Sequence, residues 1–269
     1  MSAAAQAGAP GRVLVVIPTY NEADNLVRIV PRVRTAVPGA HILVVDDASP
    51  DGTGEIADGL AAADERVHVL HRAGKQGLGV AYRDAFGWGM RRGYDVIVEM
   101  DADGSHQPEQ MPLLLERIAA GADVVIGSRW VTGGQVVNWP VSRELLSRGG
   151  NTYTRLMLGI PLRDATAGFR AYRRSALERL DLDSVASQGY CFQVDLVWRA
   201  IRQGLVVDEV PIVFVERELG SSKMHGAIVG EALWRVTQWG VRQRVESLRG
   251  AGRRGAGRRG AGRRRGRPA

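Results

Sequence analysis

The sequence predicts an α/β fold: a mostly parallel sheet covered by helices on both faces. Short β-branched apolar runs alternate with segments of helical spacing, at the rhythm of α/β proteins. The runs are apolar nearly throughout, as strands covered on both faces require. Three of them end in polar, mostly acidic clusters, and open parallel sheets bind ligands beyond the carboxyl ends of their strands.

The elements follow in order. Residues 13–17 form an apolar run that stops at Pro18 and predicts a buried strand. Residues 22–37 carry helical spacing in Leu26, Ile29, Val30 and Val33, and stop at Pro38-Gly39. Residues 42–45 predict a second strand ending in Asp46-Asp47, followed by a helix over 53–63 and a third strand over 67–70. Residues 77–92 predict a helix despite their glycines, and 95–100 a fourth strand. A helix over 109–120 and a fifth strand over 124–126 complete the regular part. Beyond Gly127 the rhythm breaks. Residues 129–142 predict a loop rich in Gly, Trp and Arg, 142–158 a helix, 168–172 a short strand and 191–203 a helix. Residues 206–215 read as extended but interrupted by Pro211, which predicts an edge strand, and 220–226 as a loop.

The expected organisation is a disordered N-terminus over 1–11, one α/β domain over 12–226, an amphipathic helix over 227–248 and a disordered tail over 249–269. The helix carries Ile228, Val229, Ala232, Leu233, Val236 and Trp239 on one stripe. Two readings stand for it: packing on the body, or lying in a membrane surface. The tail repeats Gly-Ala-Gly-Arg-Arg three times from Gly250 and cannot bury a core.

Net charge is +7, yet residues 249–269 hold nine Arg and no acid, leaving 27 basic against 29 acidic residues elsewhere. The high isoelectric point therefore belongs to the tail. An Arg/Gly-tailed nucleic-acid-binding protein is the alternative from another class. The body lacks a basic stripe and the tail lacks aromatics for base stacking, so no nucleic-acid partner is expected. A polybasic tail beside an amphipathic helix suits anionic lipid. Cys191 is the sole cysteine, which excludes an internal disulfide and fits a reducing compartment. Residues 2–11 lack a signal peptide's basic flank and apolar core, and no window predicts a transmembrane helix.

The clusters carry the chemistry. They are Pro18-Thr19-Tyr20-Asn21-Glu22, Asp46-Asp47-Ala48-Ser49-Pro50-Asp51-Gly52 and Asp101-Ala102-Asp103-Gly104-Ser105-His106. Strand side chains alternate with period two, so Asp101 and Asp103 can point the same way as the chain leaves the sheet. Two carboxylates suit Mg²⁺ or Mn²⁺ bridging to a diphosphate. Asp46 or Asp47 can accept hydrogen bonds from a base or ribose, and Tyr20 can offer its ring or hydroxyl. No phosphate-binding Walker loop is present, since Gly74-Lys75-Gln76-Gly77 lacks its spacing. His106 reads as a capping or supporting residue.

These motifs resemble family 2 glycosyltransferases of the GT-A fold, and more narrowly the polyprenol/dolichol-phosphate mannose synthases. The narrower likeness rests on Gly127-Ser128-Arg129-Trp130, on Ser142-Arg143, on Asp164-Ala165-Thr166-Ala167-Gly168-Phe169-Arg170 and on Arg217-Glu218-Leu219-Gly220-Ser221-Ser222-Lys223. It spans roughly residues 12–230. The resemblance implies metal-dependent transfer of mannose from GDP-mannose to a polyprenyl phosphate, with inversion. The alternative within the fold is another lipid-phosphate glycosyltransferase with a donor such as UDP-glucose. The resemblance to the mannose synthases implies that Pro18, Tyr20, Glu22, Asp46 and Asp47 hold the nucleoside and that Asp101 and Asp103 hold the metal. Ser105, where some relatives carry a metal-contacting Gln, or a water bridging from it, would complete the metal site. Arg129, Arg143, Arg217 and Lys223 would meet phosphate groups. Catalysis is expected of Asp103, Arg129 and Arg143, and acceptor-phosphate binding of Arg129, Arg143 and the adjacent Ser142; Arg143 is read as a loop residue. The implied setting is the cytoplasmic face of a membrane, reached peripherally through the C-terminal helix and tail, with room for a membrane-anchored protein partner.

One physical argument stands beside the resemblance. A phosphate monoester has a second pKa of about 6 and is largely dianionic at neutral pH. It needs no general base, so a site using it should instead present guanidinium groups to position it.

Overall fold

The computed structural model describes residues 11–185, 190–217 and 230–245. Its elements in chain order are β1 (Val13–Thr19), α1 (Ala23–Ala36), β2 (His41–Asp46), α2 (Thr53–Ala63), β3 (Val67–His71), α3 (Leu78–Arg91), β4 (Val96–Glu99), α4 (Met111–Ala119) and β5 (Val124–Ser128). They continue with β6 (Gln135–Val137), α5 (Val141–Leu158), β7 (Arg170–Arg173), α6 (Arg174–Arg179), α7 (Tyr190–Arg202), β8 (Val207–Pro211) and β9 (Val213–Val215). A last helix, α8, covers 230–245.

Seven strands form one sheet in the order β3-β2-β1-β4-β7-β5-β8. All pairings are parallel except those of β7, which lies antiparallel between β4 and β5. Successive strand residues face opposite layers. Val13, Val15, Ile17, Ile42, Val44, Val96 and Val98 pack under α1, α2 and α4, while Leu14, Val16, Leu43, Val45 and Ile97 pack under α3, α6 and α7. The all-apolar runs are thus two interleaved faces. Gly89 lets α3 settle on the sheet, because a Cβ there would lie 2.8 Å from Ile97 Cδ1 and 2.9 Å from Leu14 Cδ2.

Several expectations change. β1 continues through Pro18, which lies past the last β1–β4 pair, Val16 with Glu99, so its missing N–H removes no bond to β4. The stretch read as a loop over 129–142 contains β6, which pairs parallel with β9 in a separate two-stranded sheet. The extended run over 206–215 is two strands broken at Ile212, and Pro211 ends β8 on the sheet's edge. Helix α6 was not anticipated; six residues are too few for a periodic signal.

Among the described residues α8 makes contacts with the body. Val236 is buried, and Trp239 stacks on Trp198 of α7 at 5.5 Å between ring centroids. Val236 and Trp239 of the expected stripe therefore pack on the body, while Leu233 is 38 % exposed. Trp234, Val241 and Val245 form a second, outward apolar face. Ile228 and Val229, the loop over 220–226 and the segments 1–10 and 249–269 lie outside the described residues. Among the described residues no helix is long and apolar enough to cross a membrane.

Strand order reverses at β1, which has β2 on one side and β4 on the other. A crevice at the carboxyl ends of β1 and β4 follows from that reversal.

Candidate active site

A cavity of about 400 Å³ opens at this crevice. Pro18, Tyr20, Glu22, Asp47, Asp101, Asp103, Ser105, Arg129, Arg143 and Arg217 all line it. Residues from the loops after β1, β2 and β4, from α5 and from the segment after β9 are thus brought together. Asp46 and Ser142 do not line it, and Lys223 lies outside the described residues.

The first wall is built from the loops after β1 and β2. Asp46 is buried and accepts hydrogen bonds from Ser49 Oγ at 2.5 Å, Ser49 N at 3.2 Å and Thr19 Oγ1 at 3.3 Å. Its carboxylate organises the loop from within. Asp47 faces the cavity and pairs with Arg72, whose Nε also bonds Asp84 at 3.0 Å. Asn21 and Ala48, in the turns beside these residues, both have φ near +60°, a strained choice for alanine. The Lys75 ammonium sits 4.0 Å over the Tyr20 ring.

The second wall is the turn after β4. His106 is buried, stacked on Phe169 and edge-on to Phe214. Its Nδ1 accepts the Asp101 N–H at 3.1 Å. Burial lowers its pKa, against the opposing pull of Asp101 and Asp103. The ring is therefore neutral with its proton on Nε2, so the 3.9 Å approach of Nδ1 to Asp101 Oδ2 is not an ion pair. His106 holds the acidic turn in place, the supporting role its position suggested. Asp103 Oδ1 accepts the Ser105 N–H at 3.1 Å, and Asp103 Oδ2 lies 3.4 Å from Arg217 Nη1.

Asp101, Asp103 and Ser105 suit a hard divalent cation. Ser105 Oγ is buried and has no hydrogen-bond partner among the described residues, as an oxygen reserved for a ligand would be. No group of three or more His, Cys, Asp or Glu side chains at metal-binding distance occurs among the described residues. A two-carboxylate set matches Mg²⁺ or Mn²⁺, which complete their shells with phosphate and water.

The third wall carries the arginines. Arg129 is only 6 % exposed, and its Nε and Nη2 bond Asp164 at 2.7 and 2.6 Å. Arg143 stands in the first turn of α5, which corrects its reading as a loop residue; helix packing aims it at the cavity. It pairs with Glu216 and lies 4.0 Å over the Trp139 ring. Both guanidinium groups are oriented by carboxylates rather than solvated.

Past these arginines the lining changes character. Leu146 of α5, Cys191 and Val194 of α7, and Leu233 and Val236 of α8 form an apolar end. Burial pushes the Cys191 thiol up to about 11, so it is protonated at neutral pH.

Sequence reasoning missed Arg72, Asp164, Trp139 and Glu216. Arg72 directly follows β3, so the rule that ligands gather at strand ends could have found it. Asp164 sits inside a motif already singled out. Trp139 and Glu216 carry no local signal, because the pairing of β6 with β9 brings Trp139 to the cavity and Glu216 to Arg143.

Comparisons with known proteins agree with this fold. A family model described as "Glycosyl transferase family 2" matches residues 14–181. The chain is 60 % identical over 240 residues to a "Polyprenol monophosphomannose synthase" of Mycolicibacterium smegmatis, covering 89 % of this chain and 91 % of that relative. It is also 60 % identical over 238 residues to an "Undecaprenyl-phosphate mannosyltransferase" of Micrococcus luteus, covering 88 % and 98 %. Among solved structures, glucosyl-3-phosphoglycerate synthase of Mycobacterium tuberculosis with Mn²⁺, uridine diphosphate and phosphoglyceric acid superposes with a TM-score of 0.66. That pair is 19 % identical, covering 87 % of this chain and 80 % of the other, a likeness of fold.

Proposed function

Because this chain belongs to glycosyl transferase family 2 and is a glycosyltransferase of GT-A architecture, we propose that it transfers mannose from GDP-mannose to a polyprenyl phosphate at the cytoplasmic face of a membrane. One observation carries the reading. A single cavity joins an acidic end at the strand termini to an apolar end between α5, α7 and α8, with arginines between them. A sugar nucleotide suits the first end, an isoprenoid the second, and a phosphate the arginines.

The chain's own groups divide the work. Tyr20, Glu22 and Asp47 face the nucleoside, and Asp46 braces the loop that carries Asp47. Asp101, Asp103 and Ser105 would hold Mg²⁺ or Mn²⁺, which when bound stabilises the negative charge of the departing diphosphate. Arg217, beside Asp103, and Lys223 meet donor phosphate. Arg129 and Arg143 orient the acceptor phosphate, with Ser142 at the entrance of the same helix. An acceptor oxygen forms the new bond to the sugar's anomeric carbon while the bond to the diphosphate breaks, and GDP leaves with the electron pair. Attack opposite the leaving group inverts the centre. The acceptor is already a dianion, so no base is required; His106, whose Nδ1 serves Asp101, is consistent with that.

Incubation with GDP-mannose, Mg²⁺ and a polyprenyl phosphate should yield a mannosylated lipid by mass spectrometry. Product from UDP-glucose alone would move the donor assignment. Product from neither donor would end the reading.

A further inference from the structure

A second cavity, of about 170 Å³, adjoins the active-site cavity, and Asn151 of α5 lines both. Trp130, Arg148, Asn151, Thr152, Arg155 and Arg163 line it, and no carboxylate does. Arg148 lies 4.1 Å over the Trp130 ring and bonds Glu144 at 2.8 Å. The side chains of Arg155 and Arg163 have no ion-pair partner among the described residues. The buried Trp130 Nε1–H and Asn151 Oδ1 likewise lack partners there. Three guanidinium groups around one small cavity repel each other, so the arrangement favours an anion.

The surroundings say which anion. On α5, residues 141, 145, 148, 152 and 155 recur at spacings of four and three and share one face. That face therefore sets Val141, Leu145 and the neighbouring Leu156, at 70 %, 65 % and 67 % exposure, against Arg148 and Arg155. Helix α8 packs beside α5 through Tyr153 and Thr237, whose hydroxyls are 2.6 Å apart, and Trp234, Val241 and Val245 extend the exposed apolar surface. Leu146 and Leu233 are partly exposed and also line the active-site cavity, so its apolar end opens beside these helices.

We propose that the Arg148–Arg155–Arg163 basin seats the phosphate of an anionic membrane lipid, with the outward faces of α5 and α8 lying on the bilayer around it. Exposed apolar side chains flanked by arginine match the boundary between acyl chains and headgroups. The placement would let a lipid acceptor reach the arginines of the active site without leaving the membrane. It rests on the lipid-acceptor reading only in expecting a bilayer, and the test uses neither donor nor acceptor, so the two can fail separately.

The test is co-sedimentation of the full chain with phosphatidylcholine vesicles containing a small fraction of phosphatidic acid, at physiological salt. Each basic residue at an anionic surface is worth about fivefold in binding. Arg155→Ala/Arg163→Ala should therefore weaken binding about 30-fold. Arg258→Ala/Arg259→Ala, the same charge change in a tail that keeps seven other arginines to take their place at the surface, should weaken it no more than about fivefold. Leu145→Gln/Leu156→Gln should weaken binding to anionic and neutral vesicles alike. Circular dichroism melting confirms that each variant folds. Equal losses for the basin and tail pairs would overturn the seat, and an unaffected leucine pair would overturn the orientation. Stabilisation by inorganic phosphate that disappears in the basin variant, with vesicle binding unchanged, would assign the site to free phosphate and overturn the lipid reading.

Discussion

Replacing Asp164 with alanine should destabilise this protein more than any exposed substitution. Asp164 is fully buried and accepts from Arg129 N at 2.9 Å, Nε at 2.7 Å and Nη2 at 2.6 Å, and from Asn151 Nδ2 at 3.3 Å. Truncation leaves the Arg129 guanidinium buried without this counterion. Breaking a buried pair from one side costs about 3–5 kcal/mol. With a urea m-value of about 3 kcal/mol/M, the upper range for small proteins, the midpoint should fall by about 1.0–1.7 M. The double variant Asp164→Ala/Arg129→Met should recover part of that loss, because no buried charge remains. The pH dependence has a definite sign. Burial opposes ionisation of Asp164, but the charge and hydrogen bonds of Arg129 outweigh it and hold the pKa below its ordinary value. The pair's stabilisation is thus present above the unfolded value near 3.9 and is lost as pH falls through the lower folded value. Fluorescence-detected urea unfolding checks both points. A midpoint shift under about 0.3 M at neutral pH would refute the buried-pair argument.

Three further outcomes follow from the same structure. Glu99 ends β4 fully buried, and burial pushes its pKa up to about 8, so stability should fall by about 1.4 kcal/mol per pH unit between roughly pH 5 and 8; Glu99→Gln should flatten that slope in urea titrations, and parallel curves for both proteins would contradict it. His106→Ala removes the acceptor for the Asp101 N–H and should lower Mn²⁺ affinity about 10–100-fold in calorimetric titrations with GDP present; unchanged affinity would mean that the acidic turn holds its shape unaided. A Cβ at Gly240 would lie 2.5 Å from Met157 O, so Gly240→Ala should part α8 from α5 at about 1–3 kcal/mol and speed tryptic cleavage after Arg235 and Arg242; wild-type cleavage rates would show that the helices are not so closely packed.

Much of the fold was legible in local patterning. The strands of the regular part were readable because most are apolar nearly throughout, a consequence of burial on both sheet faces, the edge strand β3 with His68 and His71 being the exception. The helices between them showed their buried stripes. Most candidate site residues were legible too, because Tyr20, Asp47, Asp101 and Asp103 all sit where a strand ends, and strand ends in a parallel sheet converge on one edge. After Gly127 legibility fails. β7 inserts antiparallel between two strands far from it in sequence, and β6 meets β9 across a long separation, with registers set by the partner rather than by either segment.

Residue type and spacing alone determined the alternation of strand and helix, the acidic clusters and the tail's charge, because each is a property of neighbouring residues. Tertiary structure alone decided that Arg129 is buried against Asp164, that Asp46 turns inward while Asp47 faces the cavity, and that α8 shows an apolar face on either side. Those outcomes depend on which distant groups share a low-dielectric space, where an unpaired charge or an unmade hydrogen bond is costly enough to select a single arrangement.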